Sequence, residues 1–356
     1  MRIVQLGAKV GPEFGMGRGN AGDTAVGEAC TYVYQTEFPD CEITYMNCRQ
    51  IFDQKHIDEI NTHDILFVGG GGLFLSDTFP NTASGWQWGI PHELLLKIKI
   101  PVVVYAIGYN KFRGQDDFSE IFNKSVSTLV EKSLFFSMRN TGSCNAIKKH
   151  IPKKLHSKIS LNFCPTIIFE KKFKNNFSRN SSVGFLLGGD RLNLRHKDLE
   201  NYVKNMQEFL LFLKQMDVKT ILINHQNDNW ISKFLEFDEY KDLYKKPVDE
   251  IYDFYFSIDT VVSDRGHGQM IPFACGCKII SPISHDKLSW FLDNLELPEL
   301  KIDENDPNLG KLLISKYKYL STLNWNEIHK SRMQKIKENY QTNMALIKSN
   351  LSNTTL

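Results

Sequence analysis

Val261-Val262-Ser263-Asp264-Arg265-Gly266-His267-Gly268-Gln269-Met270 is the stretch on which the fold turns. An apolar run that opens at Ile258 ends here on two β-branched residues, the pattern of a buried strand. Beyond the turn, Met270, Ile271, Phe273 and Ala274 read as a short helix closed by Gly276. Arg265 and His267 therefore fall where a parallel strand hands over to a helix. In open α/β sheets ligands bind at such carboxyl ends, where the free N–H groups of helix N-termini favour anions. Arginine supplies a fixed cation, histidine a titratable proton carrier, and the glycines room for close approach. An exposed turn with incidental charges would carry the same letters, so these ten residues leave both readings open.

Working outward, apolar runs alternate with amphipathic segments along the chain. Ile3–Leu6, Ile43–Met46, Ile65–Val68, Val102–Ile107 and Leu134–Met138 predict strands. Thr24–Gln35, Glu93–Lys97, Phe118–Val130 and Gly142–Lys149 predict the helices between them. Glu170 to Ser182 is polar apart from Phe173 and Phe177 and reads as a linker. The alternation then restarts with strands at Val183–Leu187, Thr220–Asn224, Thr260–Ser263 and Lys278–Ser281. Helices are expected around His196–Gln215, Asp249–Ser257, Gln269–Cys275 and His285–Asn294. Such βαβ alternation predicts an α/β protein of two Rossmann-like domains facing a cleft, residues 1–170 and 183–323. Ile328, Met333, Ile336, Tyr340, Met344 and Ile347 share one helical face, and Asn324 with Glu327 has the spacing of a capping box. Residues 324–356 are thus expected to form a helix that returns to the N-terminal domain.

Composition narrows the class of function. The 356 residues are 42% hydrophobic and 24% charged, an ordinary globular balance. A net charge of +2 gives no global argument for nucleic acid. Seven cysteines without regular spacing argue for a reducing compartment, and the absence of metal-ligand spacings leads us to expect no metal. No apolar run approaches the ~20 residues of a membrane helix, so a cytoplasmic protein is expected. Lys148, Lys149, Lys153, Lys154 and Lys158 form a basic stretch that reads as a solvated face or as a peripheral contact with an anionic membrane. Homo-oligomerisation stays open.

Two glycine-rich stretches follow strands. Gly17-Arg18-Gly19-Asn20-Ala21-Gly22 fits the G-x-G-x-x-G dinucleotide pattern, but the first strand ends about ten residues too early and no acidic residue closes the second strand near Asn47. Asn20 and Asp23 remain candidates for a hydroxyl- or phosphate-binding loop, or simply for a helix cap. Gly69-Gly70-Gly71-Gly72 exceeds what a tight turn requires and suggests backbone touched by ligand. Trp86 and Trp88 could stack on sugar rings or anchor their loop to the core.

Taken together, Asn20-Ala21-Gly22-Asp23, Gly69–Gly72, Ser137-Met138-Arg139-Asn140 and Asp264-Arg265-Gly266-His267-Gly268 resemble the polysaccharide pyruvyl transferase family. Ala106-Ile107-Gly108 and Lys287 add to the likeness, which spans Asn20 to about Phe291. The resemblance implies a glycosyltransferase-like fold of the GT-B type. It implies transfer of the enolpyruvyl unit of phosphoenolpyruvate, as co-substrate and without a further cofactor, onto two hydroxyls of a glycan or lipid-linked glycan. A cyclic pyruvate ketal forms and phosphate leaves. By the same resemblance Arg265 and His267 match the family's Arg-x-His pair and Arg139 its upstream arginine; His267 and Arg265 are expected to be catalytic, with Asp23 as a candidate base read from the residues themselves. Arg139, Arg265, His267, Gly268, Lys287 and His225 would surround the donor, and Asn20, Gly22, Asp23, Gly70, Gly71 and Trp86 the acceptor. Asp228 is a second candidate base. The sequence departs from the family pattern at Asn140, where aspartate commonly follows the arginine, at Gly266, and at Cys164-Pro165-Thr166, where many members carry Asp-Pro. A sugar-nucleotide glycosyltransferase of the same architecture, or a catalytically inactive binding protein of polysaccharide assembly, are the competing readings.

Overall fold

A computed structural model describes residues 1–8, 20–77, 82–169, 173 and 179–354. The glycines Gly17 and Gly19 of the dinucleotide-like pattern and most of the predicted linker lie outside the described residues. Twelve strands are seen: β1 (Arg2–Gly7), β2 (Glu42–Asn47), β3 (Ile65–Gly69), β4 (Val102–Ile107), β5 (Ser133–Met138), β6 (Ile159–Leu161), β7 (Asn180–Leu186), β8 (Lys219–Asn224), β9 (Glu239–Asp242), β10 (Ile258–Ser263), β11 (Lys278–Ile283) and β12 (Lys301–Asp303). They form two six-stranded sheets in the orders β2-β1-β3-β4-β5-β6 and β12-β11-β10-β7-β8-β9. Neighbouring strands pair in parallel throughout.

The central strands are buried on both faces because helices cover both sides, which is why they read as unbroken apolar runs. The strands that periodicity misses, β6, β9 and β12, are short and each lies at a sheet edge, where polar residues such as Asp242 and Asp303 are exposed and Glu239, Lys241 and Lys301 half-exposed. The helices Gln54–Ile60 and Leu309–Thr322 were likewise unassigned from sequence. One boundary is corrected: Asn180, Ser181 and Ser182, expected in the linker, already belong to β7. Asn180 pairs with Ile258 and Ser182 with Lys219, so backbone pairing to two neighbours overrides the polar side chains.

In each sheet the strand order reverses once, between β1 and β3 and between β7 and β10. Open α/β sheets form ligand crevices at the carboxyl ends beside these reversals. The two sheets are joined across the crevice by side chains. Arg191 makes a two-pronged ion pair with Asp77, at 2.8 and 2.6 Å, and the Thr141 N–H donates to Asn294.

The helix Trp325–Thr354 touches both halves. Trp325 Nε1 donates to Gly276 O and Arg332 Nε to Leu295 O, both in the C-terminal half. About two turns further, Asn339 and Asn343 donate to Leu161 O, Tyr340 donates to Glu37 and, beyond, Asn350 to Leu134 O, all in the N-terminal half. Its buried stripe of Met333, Ile336, Tyr340, Met344 and Ile347 joins a hydrophobic cluster containing both Phe67 and Phe273. Part of the lysine stretch is structural, since Lys158 Nζ donates to Val130 O, Glu131 O and Ser133 O at the end of the helix Glu120–Lys132. Among the described residues no helix is long and apolar enough to cross a membrane.

If the terminal helix closes a shared core, Ile336→Ala should lower unfolding stability by about 2–5 kcal/mol, whereas Gln341→Ala on its exposed face should stay within about 0.5 kcal/mol. Urea titration followed by far-UV circular dichroism measures both.

Candidate functional site

A cavity of about 750 Å³ lies between the two sheets. Its wall is assembled from segments that leave carboxyl ends of strands. Asn20 and Asp23 follow β1, Arg49 follows β2, Gly72 follows β3, Asn110 and Phe112 follow β4, and Arg139 follows β5. From the other half, Asp190 and Arg191 follow β7, His225 and Gln226 follow β8, Arg265 and His267 follow β10, and Lys287 follows β11.

Asn20 and Asp23 cap the helix Ala21–Glu37 reciprocally: Asn20 Oδ1 accepts from the Asp23 N–H, and Asp23 Oδ2 accepts from the Asn20 N–H. The cap also places Asp23 Oδ2 3.1 Å from the Arg49 guanidinium, which Gln87 Oε1 braces from the side. Both the capping and the cavity-lining reading of Asp23 therefore apply.

Arg139 is 2% exposed, has no carboxylate within ion-pair distance among the described residues, and its Nε has no hydrogen-bond partner. Glycine at 108 makes room for it, since a Cβ there would stand 2.3 Å from Nε. Burial lowers the Arg139 pKa, with Cys164 and Asp23 opposing. Lys287 also faces the cavity without an ion-pair partner among the described residues, and burial, then Arg139 and Arg195, hold its pKa well below the usual lysine range.

Arg265 is different. Its Nε donates to Asp228 Oδ1 at 2.7 Å, and its NH2 reaches Asp228, Asp190 at 3.1 Å and Gln226 O. It reaches the cavity as a clamped arginine rather than a free cation. Asp228 is consumed by that clamp and by the N–H groups of His225 and Gln226, which removes it as a free base.

His267 begins the helix His267–Ala274, and its ring packs on Gly22, where a Cβ would come within 2.2 Å of Nδ1. Its Nε2 lies 4.0 Å from Cys164 Sγ. Burial, then Arg139, Lys287, His225 and Arg265, push its pKa well below the ordinary value of 6.5. The ring is neutral in the free protein, which resolves the opposing influences at this helix start.

Other sequence candidates stand elsewhere. Trp86 is fully buried, packs edge-on to Phe74 and Trp88, and donates its N–H to Ser125 Oγ, so it anchors its loop in the core and does not line the cavity. Gly70 faces Val26 and Cys30 of the helix Ala21–Glu37, and Gly71 faces Val26; only Gly72 of the run reaches the cavity. Gly22 and Gly268 act by close packing, the latter against Ser263 and Leu186. His225 lines the wall, yet its Nε2 pairs with Tyr255 OH at 2.8 Å, and burial, then Arg265, lower its pKa to about 3.

Sequence reasoning missed Arg49, Arg191, Arg195 and Phe112. Arg191 and Arg195 each stand 5.1 Å from the Phe112 ring centre, and His285 stacks on the same ring. Their only sequence signal is position just beyond a strand. A metal could be held only away from the cavity wall among the described residues, where His196, Asp264 and Glu304 converge.

Over residues 20–287 the chain matches the polysaccharide pyruvyl transferase family. The chain belongs to that family. It is therefore placed among transferases, and the match covers both halves of the cavity wall. No curated protein sequence matches. Solved structures similar to this one include a Listeria monocytogenes protein assigned as a UDP-N-acetylglucosamine 2-epimerase, with a TM-score of 0.62 at 11% identity over 99% of this chain and 97% of that one. The UDP-GlcNAc 2-epimerase of Neisseria meningitidis, bound to UDP-GlcNAc, gives a TM-score of 0.56 at 12% identity over 99% of this chain and 100% of that one. These likenesses show the fold, which is of the GT-B type.

Unpaired Arg139 and Lys287 should make the cavity an anion site. Millimolar inorganic phosphate should raise the melting temperature of the unmodified protein, and the rise should vanish in Arg139→Ala and in Lys287→Ala. Differential scanning fluorimetry against matched chloride reads the result.

Proposed function

We propose that this transferase moves the enolpyruvyl unit of phosphoenolpyruvate onto two hydroxyls of a sugar, in a glycan or a lipid-linked glycan precursor, forming a pyruvate ketal. The observation that carries the reading is the placing of two cations without an ion-pair partner among the described residues, buried Arg139 and half-buried Lys287, with a neutral imidazole at one cavity wall. A donor bearing both a carboxylate and a phosphate needs at least two cations, and the family match favours this donor over other dianions.

In this scheme Arg139 and Lys287 take the two anionic groups, with Arg195 behind them and Arg265 holding the turn that carries His267. The donor's charge raises the pKa values of His267 and Lys287, and the His267 ring takes up a proton. The His267 imidazolium gives its proton to C3 of the enol ether, and the first sugar oxygen bonds to C2 as its proton passes to Asp23. The C2–O bond to phosphate then breaks, phosphate leaving with the bond pair and the proton from Asp23. The second sugar oxygen bonds to C2 and its proton returns to His267. Two hydroxyl protons are lost, one to phosphate and one to His267, where it replaces the proton given to C3; the imidazolium returns to its neutral state by releasing to solvent, as phosphate departs, the proton taken up on donor binding. A proton relay of this kind typically contributes about 10²–10⁴-fold in rate.

Phosphate release from phosphoenolpyruvate, with mass-spectrometric detection of the ketal across a panel of glycans, tests the reaction. His267→Ala should lower turnover at least about 100-fold while circular dichroism stays unchanged. Turnover retained within about threefold refutes the assignment, and stabilisation by nucleotide sugars alone would support the sugar-nucleotide reading instead. The charge argument has its own check. Above pH 7 the His267 imidazole is neutral in the free protein, so donor binding should take up a proton. Calorimetry in buffers of different ionisation enthalpy should show that uptake, and identical enthalpies in all buffers contradict it.

A further inference from the structure

We propose that His196, Asp264 and Glu304 form a buried site for one divalent transition-metal ion of the zinc class, which clasps three separate segments of the C-terminal half. His196 lies between the helices Leu192–Arg195 and Leu199–Gln215, Asp264 directly follows β10, and Glu304 directly follows β12. One ligand atom from each residue falls within 4.8 Å of the other two.

All three residues are withdrawn from water, at 5%, 0% and 2% exposure respectively. His196 Nδ1 and Glu304 Oε1 stand 2.8 Å apart, a close approach of a ring nitrogen and a carboxylate oxygen. Both ring nitrogens and both carboxylate oxygens of Glu304 are left without a hydrogen-bond partner. An unsatisfied polar group in a dry interior is destabilising, and a carboxylate more so. A shared proton would satisfy one oxygen and one nitrogen at most. Three ligand atoms drawn within 4.8 Å of one another in a dry interior can instead share one cation.

The surroundings fit that role. The Gly188 N–H donates to Asp264 Oδ1 at 2.7 Å, and Arg195 NH1 donates to Asp264 Oδ2 at 3.3 Å, which orients the carboxylate from behind. The His196 ring is sandwiched near Tyr202, 4.0 Å between centres, so its plane is fixed. One imidazole and two carboxylates suit zinc or a neighbouring ion at bond lengths of about 2.0–2.2 Å. Calcium, which takes about six to eight oxygens at longer range, is not matched by this set. Arg195 lines the cavity and Asp264 precedes Arg265, so the clasp would stiffen the wall from outside it. The three ligands are far apart in the chain, which is why no metal was expected from spacing.

Metal analysis of the purified, untagged chain should find about one equivalent of zinc-class metal. Removal by a strong chelator should lower the melting temperature by several degrees, zinc should restore it, and cobalt loaded in its place should give a visible absorption band. His196→Gln and Glu304→Gln should both lose the metal while keeping native circular dichroism. Below about 0.1 equivalent, with no thermal shift on adding zinc, manganese or cobalt and no cobalt band, the proposal fails. Should the variants misfold, the metal content and cobalt spectrum of the unmodified protein still decide.

Discussion

The site depends on positive charge buried without matching negative charge. Arg139 and Lys287 are desolvated in a wall where carboxylates are already committed: Asp23 to Arg49, Asp228 to Arg265, and Asp190 to Arg265, Arg191 and Arg195. Packing holds them there at an electrostatic cost, because removing an ion from water is unfavourable unless a counter-charge replaces the solvent. The replacement has to come from a ligand. A protein selecting only for stability would have placed a glutamate beside Arg139, or a leucine in its stead.

The same logic explains the neutrality of His267. Across the seam its Nε2 faces the thiol of Cys164, itself raised in pKa by burial, and not a carboxylate. With Cys164-Pro165 here instead of the Asp-Pro that the family resemblance led us to expect, the imidazole has a thiol beside it and feels chiefly burial and the cations around it. The departure seen in the sequence thus acquires a physical meaning only when residues 164 and 267 are brought together by the fold.

What could be read beforehand follows from what each signal reports. Strands such as Val102–Ile107 and Ile258–Ser263 are visible because two-sided burial demands an apolar run, while β9, Glu239-Tyr240-Lys241-Asp242, looks like a loop because a sheet edge tolerates polar side chains. The turn at Asp264–Gly268 was legible from its place between a strand and a helix. Arg49 and Arg195 were not, since a single arginine beyond a strand has no distinguishing spacing, and their roles depend on Asp23 and Asp264 from remote segments. Trp86 shows the converse error: aromatic rings flanked by glycine suggest a binding platform, but its indole N–H finds Ser125 and its faces find Phe74 and Trp88 in the interior.

The helix Trp325–Thr354 has a consequence for how the protein is made. Its stripe from Met333 to Ile347 covers apolar surface belonging to strands translated long before it. On the ribosome the N-terminal sheet must wait, with the ground beneath Ile336, Tyr340 and Met344 bare, until the whole C-terminal half has emerged. Nascent chains with such exposed surface are the ones that aggregate or recruit chaperones. The two halves are therefore unequal partners in assembly: the second can wrap its own sheet as it appears, and the first is finished only by a segment that arrives last.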